Sequence, residues 1–309
     1  MKVTRLRIAA AFAAVYLIWG STYLAIRFAI ETLPPFSMAG LRFLIAGIAL
    51  YVFARYVRRH PAPEPRHWKP ALIIGFLLLL GGNGGVVWAE QYVPSGLASL
   101  FIATVPLWMV LLEWLWHRQA RPGTGVFAGI ALGFWGVWLL MAPGFSQNPH
   151  QPIHLGGTLA LLTASLSWAV GSVYSRKAVL PDSPLVATGM EMTAGGACLL
   201  LLGLLQGEAA GWDPAAFSIK SVLAFLYLVV FGSLIGFTAY IWLLRAVGPA
   251  RTSTYAFVNP VVAVLLGWGL GGEALTGRTI LAALTIVAAV GVITFHQREE
   301  GGEVEKREE

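Results

Sequence analysis

Long apolar blocks separated by short polar segments make up most of this 309-residue chain. The blocks are apolar on all sides, and each approaches the roughly 20 residues that a helix needs to cross about 30 Å of hydrocarbon. No segment between them is long enough for a separate soluble domain. The pattern predicts an all-α integral membrane protein with ten transmembrane helices, over residues 8–26, 36–55, 71–89, 95–116, 124–141, 155–175, 184–205, 221–243, 252–272 and 278–295.

The placement of Lys and Arg among the loops predicts how these helices are oriented. Only 12% of the residues are charged, whereas a soluble domain carries about 25%. With the N-terminus in the cytoplasm, every Lys and Arg falls on the cytoplasmic side except Arg27, Lys220 and Arg278 on the outer side and Arg42 within a span. The positive-inside rule then predicts that both termini lie in the cytoplasm. We expect the chain to lie in the inner (plasma) membrane of the cell. The formal charge of +6 is therefore explained by basic residues in the cytoplasmic loops, next to membrane lipid. No nucleic-acid partner is expected.

The two halves of the chain match each other at constant spacing. One offset holds through the first two spans, and a second, five residues larger, holds from the third span onward. The sequence therefore predicts two copies of a five-helix unit, over 1–145 and 155–296, followed by a charged disordered tail over 297–309. The matched pairs include Trp19 and Trp168, Arg27 and Arg176, Gly40 and Gly189, Gly47 and Gly196, Trp88 and Trp242, and Pro106 and Pro260.

The number of spans in each copy determines how the copies are related. Because five is odd, the second copy must enter the membrane in the opposite direction. Inverted repeats are the architecture of many secondary transporters, in which two similar units move about a site near the membrane midplane. The repeat therefore favours a transporter that works by alternating access, although some channels also contain inverted repeats.

Helix-weakening residues lie at two places inside the predicted spans. Four glycines surround Asn83 in the third span, and each weakens a helix by about 1 kcal/mol in water. This segment indicates either a loosened helix beside a substrate cavity, with the Asn83 amide available to it, or close helix packing on small residues. Pro106 and Pro260 are expected to kink the fourth and ninth spans. Asn259 adds an amide at the second kink, and Tyr255 lies in the polar start of that span.

Two ionisable residues lie within spans, where charge is costly and indicates function. Arg42 and Glu191 occupy matched positions about two turns into the second and seventh spans. Inversion places them nearer opposite faces, so a direct ion pair is not expected. We interpret Arg42 as the holder of an anionic group such as a carboxylate, and Glu191 as a proton carrier or part of an inner gate. The alternative is that each snorkels or pairs locally.

Other charged residues lie at helix ends. Arg27 and Arg176 close their helices on opposite faces, and we expect them to have gate or interface roles. Glu113 is expected to form an anchoring ion pair with the basic residues one turn further along. Glu90 and Glu273 lie at outer helix ends and are predicted to be solvated or structural.

Aromatic residues are abundant, with 12 Trp in the chain. Those in the first and third spans of each copy would suit a cavity for a flat or amphipathic solute, and the alternative is a belt at the membrane interface. The candidate substrate-binding residues are therefore Trp19, Tyr23, Arg42, Asn83, Trp88, Trp168, Tyr174, Glu191, Tyr240, Tyr255 and Asn259.

Motifs for catalysis and cofactor binding do not occur in the sequence. It has no Walker A motif, no GxSxG and no His/Cys/Asp cluster with metal-ligand spacing. The single cysteine, Cys198, lies in an apolar run and is interpreted as an inert buried thiol. The sequence thus indicates neither an enzyme nor a metal, cofactor or ATP requirement.

Short motifs from both copies have a combination that is typical of one family. They are 17–23 (LIWGSTY), 34–35 (PP), 41–43 (LRF), 89–99 (AEQYVPSGLAS) running on to 106–108 (PLW), 259–260 (NP) and 272–276 (GEALT). Together they resemble an EamA-type member of the drug/metabolite transporter superfamily, and the resemblance covers nearly the whole chain.

This resemblance implies ten helices in two inverted repeats around a central cavity. Helices three, four, eight and nine would line the cavity, and helices one, two, six and seven would form the gates. The family implies export of amino acids, related metabolites or amphipathic drugs without ATP. Two departures matter: Gln119 stands where Glu273 stands in the second copy, and the first helix has no carboxylate between Arg7 and Arg27. Coupling to protons is therefore left open.

The sequence as a whole favours a secondary transporter that exports small metabolites such as amino acids across the plasma membrane. The alternative is a membrane-embedded sensor or assembly protein built on the same scaffold. Its partners would be a small-molecule substrate and membrane lipid, and the oligomeric state is left open.

Overall fold

The computed structural model describes residues 5–117, 123–141, 154–247 and 255–308, and its regular structure in these ranges is entirely helical. Short 3₁₀ turns, Glu208–Gly211 and Pro214–Ala216, precede the eighth helix. The helices are α1 (Arg5–Ala29), α2 (Pro35–Val52, continued by π-helical Phe53–Val57), α3 (Pro65–Gly75, π-helical Phe76–Gly84, Gly85–Ala89), α4 (Ser95–Ile102, Val105–His117), α5 (Thr124–Met141), α6 (Leu155–Ser175), α7 (Pro184–Leu205), α8 (Ile219–Tyr227, π-helical Leu228–Ile235, Gly236–Val247), α9 (Tyr255–Gly269) and α10 (Gly277–Glu308).

Seven of the described helices are long and apolar enough to cross a membrane. They are α1, α2, α3, α4, α6, α7 and α8. Shorter apolar stretches, Thr124–Leu140, Val258–Gly269 and Gly277–Ile293, lie in α5, α9 and α10. The prediction of an all-helical integral membrane protein is therefore confirmed.

The helices pack in pairs that follow the order of the predicted repeat. α2 lies along α7 and α5 lies along α10, and these are the most extensive contacts between helices. α1 packs against α9 and α8, while α6 packs against α4 and α3. These two contacts of α1 thus have counterparts made by α6, with the partner helices taken from the other half of the chain.

The α2–α7 contact is built on glycines that the sequence repeat had matched. The two helices approach so closely that a Cβ atom at any of four glycines would collide with the facing backbone. Small residues permit this approach in membrane proteins, where van der Waals packing replaces the hydrophobic effect between helices. A Cβ would lie 2.6 Å from Leu200 N at Gly40, 2.6 Å from Thr193 N at Gly47, 2.9 Å from Tyr51 N at Gly189 and 2.7 Å from Leu44 N at Gly196.

Replacing Gly40 by alanine is expected to destabilise the protein by about 1–3 kcal/mol, because the added methyl group overpacks a backbone contact that cannot yield. Denaturation in mixed micelles measures this change. The matched control is Gly277→Ala, since a Cβ at Gly277 meets nothing within 4 Å. Equal stability of the two variants would show that the α2–α7 contact tolerates separation.

Both third helices of the repeat change to π-helical geometry at midspan. The segments are Phe76–Gly84 in α3 and Leu228–Ile235 in α8. Gly81 and Gly82 of the first segment lie against Ser167 and Trp168 of α6, and a Cβ at Gly82 would be 2.8 Å from the Trp168 ring. The glycines around Asn83 thus combine the two properties that the sequence offered as alternatives, a loosened helix and close packing.

The two matched prolines behave differently. α4 is interrupted between Ile102 and Val105, directly before Pro106, so the predicted break occurs there. Thr104 closes the interruption by donating from its hydroxyl to the carbonyl of Phe101, 2.6 Å away. α9 continues through Pro260 without interruption.

The C-terminal tail differs from the sequence prediction of disorder over 297–309. The α10 helix continues through the charged residues as far as Glu308. Glu, Lys and Arg have high helix propensity, and they extend a helix that the apolar part of α10 has already nucleated.

Candidate substrate pathway and its two ionic ends

Four aromatic side chains from α1, α8 and α9 form one cluster. The Trp19 ring centroid lies 5.2 Å from that of Phe237, 5.1 Å from Tyr240 and 5.2 Å from Tyr255. Tyr240 and Tyr255 are 5.8 Å apart and nearly perpendicular. We call Trp19, Phe237, Tyr240 and Tyr255 the aromatic cluster. Such a cluster offers flat apolar faces together with hydroxyl groups that form hydrogen bonds.

The π-helical segment of α8 fixes the position of the central tryptophan. The Trp19 indole N–H donates to the carbonyl of Gly232, with an N···O distance of 3.2 Å. Its ring also lies on Gly236, where a Cβ would be 2.5 Å from the indole nitrogen. A glycine is therefore required at 236, and the cluster depends on the α8 backbone as well as on side chains.

Arg42 reaches the same segment of α8 from α2. Only 4% of Arg42 is exposed, and its Nε donates to the Ser233 hydroxyl at 2.9 Å. A Cβ at Gly232 would lie 3.0 Å from one Arg42 terminal nitrogen. No carboxylate among the described residues forms an ion pair with Arg42. An uncompensated guanidinium therefore lies next to the backbone group that holds Trp19.

An ion pair at one end of the helices closes α1 onto α9. Arg27 Nη1 lies 3.0 Å from Glu273 Oε1, and the Glu273 side chain is only 7% exposed. Glu273 also accepts from the Ser95 amide and hydroxyl, both at 2.6 Å, and from the Gly96 amide at 2.9 Å. The carboxylate thus caps the N-terminus of α4, where amide groups are unpaired and negative charge is favoured.

A second ion pair, between Arg176 of α6 and Glu113 of α4, lies at the opposite end. Ser95 and Glu113 belong to the same helix, and at 1.5 Å per residue they are about 27 Å apart. Arg176 is also within electrostatic range of Tyr240 of the aromatic cluster. We call the two regions the Glu273 end and the Glu113 end.

These contacts correct one prediction made from the sequence and narrow another. Glu113 was expected to pair with the basic residues that follow it, but its partner is Arg176. Glu90 and Glu273 were predicted as solvated or structural; both side chains are buried, and Glu273 has the structural role of a helix cap. Neighbouring helices can bury a side chain at the end of a helix. The position of a residue along its own helix does not reveal this burial.

Some predicted site residues lie in or beside this pathway. Tyr23 of α1 is within electrostatic range of both Tyr255 and Glu90, so it lies between the aromatic cluster and the Glu273 end. Asn83 is partly exposed and forms no hydrogen bond with a described residue, which leaves its amide available. Trp168 covers the Gly82 backbone of α3, in the same way that Trp19 covers Gly236 of α8.

Other predicted residues lie elsewhere. Asn259 is buried, and with its amide nitrogen facing the carbonyls of Tyr255 and Tyr16 it bonds to both, so it joins α9 to α1. Trp88 contacts Tyr92 and His154 near the end of α3, apart from the cluster.

Two of the predicted residues lie on α6 and α7. Tyr174 is half-buried near the end of α6, and Glu191 is half-buried on α7 and forms no ion pair with a described residue. Gln119 and the polar residues 252–254 lie outside the described residues.

The comparison with protein families follows the same division of the chain. A model described as the EamA-like transporter family matches residues 6–142 and again residues 155–295. The chain belongs to the EamA-like transporter family. The first match contains α1–α5, and the second contains the apolar part of α6–α10.

Individual EamA relatives cover almost the whole chain. It is 44% identical to the inner membrane transporter YedA of Escherichia coli K12, over 91% of this chain and 89% of that protein. It is 26% identical to the transporter YoaV of Bacillus subtilis 168, over 91% of this chain and 94% of that one. A solved structure with 25% identity covers 96% of this chain and 99% of its own, with a TM-score of 0.63.

Three residues that shape the candidate site were not predicted from the sequence. Gly232 and Ser233 hold Trp19 and Arg42, and Phe237 completes the aromatic cluster. A glycine–serine pair inside a strongly apolar span is the signal that could have identified the first two, since a buried hydroxyl requires a partner. Phe237 has no comparable signal.

Proposed function

We propose that this EamA-family chain is a secondary transporter that exports small amphipathic metabolites bearing a carboxylate, such as amino acids, by alternating access. The observation that carries the proposal is Arg42, a buried guanidinium that has no acidic partner among the described residues. Burying an unpaired charge is costly, so the protein retains it for an interaction that is made only when a ligand is present. A substrate carboxylate satisfies that need with charge-assisted hydrogen bonds.

The surroundings of Arg42 support an amphipathic substrate. Gly232 lies next to both Trp19 and Arg42, so an aromatic surface and a cation adjoin one backbone group. A substrate with a carboxylate and a flat or apolar side chain would match this arrangement, with the tyrosine hydroxyl groups of the cluster serving its other polar atoms.

The ionic ends support alternating access. Arg27 and Arg176 are matched residues of the two copies, and each pairs with a glutamate from the other half of the chain. Two similar gates at opposite ends of a pathway are what inverted repeats produce. Opening requires the Arg27–Glu273 pair to separate at one end or the Arg176–Glu113 pair to separate at the other.

The membrane arrangement in this proposal has ten spans. The shorter apolar stretches in α5, α9 and α10 occupy predicted spans five, nine and ten. YedA is an inner membrane transporter by name, and the Lys and Arg distribution places both termini in the cytoplasm. The Glu273 end then faces outward and the Glu113 end faces the cytoplasm.

Counterflow in proteoliposomes tests the proposal. Purified protein is reconstituted with unlabelled amino acids inside, and uptake of labelled ones is followed. Each amino acid is matched by the amine that lacks only its carboxylate, for example phenylalanine and phenethylamine. We expect counterflow of the acid and little for the amine. Equal counterflow of both would refute a carboxylate site, and no counterflow with any solute would favour a sensor or assembly protein on this scaffold.

A further inference from the structure

Glu90 is a buried acid whose role the transport pathway does not explain. It follows the last residue of α3, only 4% of it is exposed, and neither carboxyl oxygen has a hydrogen-bond partner. It lies within electrostatic range of Arg27, Glu273 and Tyr23. Among the described residues, the charged groups that act on Glu90 are thus one further carboxyl group, that of Glu273, and one guanidinium, that of Arg27.

The Arg27 guanidinium already forms an ion pair with Glu273. Arg27 lies 3.0 Å from Glu273, whose carboxylate also receives hydrogen bonds from Ser95 and Gly96. The lone pairs of the Glu273 carboxyl group are therefore satisfied by donors. The only backbone donor that acts on Glu90 is that of Arg27, and neither carboxyl oxygen forms a hydrogen bond with a described residue. An ionised carboxylate that is buried without hydrogen bonds is strongly disfavoured. Taking up a proton removes the charge.

A metal ion is a poorer occupant than a proton. No group of three or more potential ligands among His, Cys, Asp and Glu occurs in the described part of the chain. The oxygens of Glu273 are already engaged by four donor atoms, counting the Arg27 guanidinium. A site with one free carboxyl group cannot supply the coordination that a divalent cation requires.

Neighbouring charged groups at this end have partners of their own. α2 and α6 also pack against the last turns of α3. Glu208 caps α2 by accepting from the Phe36 and Ser37 amides, and His154 caps α6 by accepting from the Gly157 amide. The other charged side chains at the described helix ends on this side are Asp213, which caps the 3₁₀ turn by accepting from the Ala215 amide, Glu31 and Lys220, which pair with each other, and Arg278.

We propose that Glu90 is a proton-binding site that exchanges with the outer solution and is neutral while the Glu273 end is closed. When the proton leaves to water, Glu90 becomes a second anion beside Arg27 and competes with Glu273 for it, which weakens the closed ion pair. At the matched position the sequence has Leu244, so the Glu113 end has no equivalent acid. Protonation thus acts on one gate only.

Labelling with a hydrophobic carbodiimide tests proton binding without any variant or transport substrate. The reagent attacks protonated carboxyl groups, and peptide mass spectrometry identifies the modified residue. We expect Glu90 to be modified at neutral pH and progressively less in alkaline buffer. Glu31, exposed and paired with Lys220, is the internal control and should remain unmodified. An unmodified Glu90 at neutral pH, or modification that does not vary with pH, overturns the proposal.

A transport experiment tests the link to the gate, which rests on the proposed function. Counterflow is measured over a range of pH, equal on both sides, for the wild type, Glu90→Gln and Glu191→Gln. We expect a pH dependence in the wild type and in Glu191→Gln. In Glu90→Gln, which mimics the neutral acid, the rate should stay at the wild-type acidic limit.

The outcomes separate the two proposals. A pH-independent wild type, or a pH dependence that survives in Glu90→Gln and disappears in Glu191→Gln, overturns the link between Glu90 and the gate. If the wild type shows no counterflow of any solute, the proposed transport function fails, while the carbodiimide result still decides whether Glu90 binds a proton.

Discussion

Arg42→Gln is expected to reduce counterflow of carboxylate-bearing substrates about tenfold to a hundredfold. Hydrogen bonds to a charged group contribute about 1.5–3 kcal/mol, and each 1.4 kcal/mol corresponds to about a factor of ten. Glutamine retains a polar group that can bond to Ser233, which lies 2.9 Å from Arg42 Nε in the native protein, but it carries no charge for a carboxylate. The ratio of acid to amine transport, measured in the same liposomes, is the quantity that should fall.

Stability distinguishes this binding role from a structural one. The Arg42 charge is buried and no described carboxylate pairs with it, so its removal relieves an electrostatic cost. We expect Arg42→Gln to be at least as stable as the wild type in detergent melting experiments. A variant that is less stable and transports acid and amine equally poorly would show that Arg42 holds the helices together instead.

Two further variants should reduce transport less than Arg42→Gln does. Arg42→Lys retains the positive charge but loses the planar fork that binds a carboxylate through two nitrogens, so transport should be intermediate. Ser233→Ala removes the hydroxyl that orients the guanidinium but keeps the charge, and a loss of about 1 kcal/mol of binding energy through poorer orientation predicts a loss of about fivefold. A larger loss in Ser233→Ala than in Arg42→Gln would contradict the assigned order of roles.

The helical class and the membrane setting could be predicted from the sequence because they depend on single segments. Apolar length determines whether a helix can cross a bilayer, and this property is visible in each span without knowledge of its neighbours. The repeat in the sequence also matched glycines that lie in a contact between distant helices. Gly40 and Gly189 were matched only as repeat positions, yet both lie in the α2–α7 contact, since that contact joins equivalent helices of the two copies.

The candidate site was harder to predict because it depends on contacts between distant segments. Arg42 was identified by its cost in an apolar span, but its partner Ser233 lies 191 residues away. Asn259 was chosen for its amide beside Pro260, and the structure uses that amide to join α9 to Tyr16 of α1. A polar residue in a span thus indicates a buried contact, whereas the identity of the contact requires the packed helices.

The Glu273 end shows the same limit for helix termini. Spacing along the chain indicated that Glu273 follows α9 at a membrane surface, and it left open whether the side chain is solvated or structural. The side chain reaches the first residues of α4 and the last turn of α1. Nothing within the segment 272–276 signals these partners, because the burial arises from three helix ends that meet.

Glu273→Gln is expected to lower the free energy of unfolding by about 2 kcal/mol and to weaken closure of the outer end. The amide that replaces one carboxylate oxygen points a donor at a backbone N–H of Ser95 or Gly96, which leaves a buried donor unpaired at a cost of about 1–3 kcal/mol. Loss of attraction to Arg27 adds little, since that side chain is 36% exposed and its charge is screened by water.

A matched pair of variants separates the helix cap from the ion pair. Arg27→Gln removes the cation but leaves the cap on α4 intact, so we expect a loss of less than about 1 kcal/mol. Glu31→Gln removes one member of an exposed pair with Lys220 and should change the free energy of unfolding by less than about 0.5 kcal/mol.

The functional effects of these two gate variants should differ from their effects on stability. Arg27→Gln and Glu273→Gln both abolish the ion pair, so both should favour opening at the outer end and speed the labelling of cysteines introduced there by an impermeant maleimide. If Glu273→Gln is no less stable than Glu31→Gln, the carboxylate does not cap α4. If labelling is unchanged in both gate variants, the pair between α1 and α9 does not hold that end closed, and closure must then come from apolar packing alone.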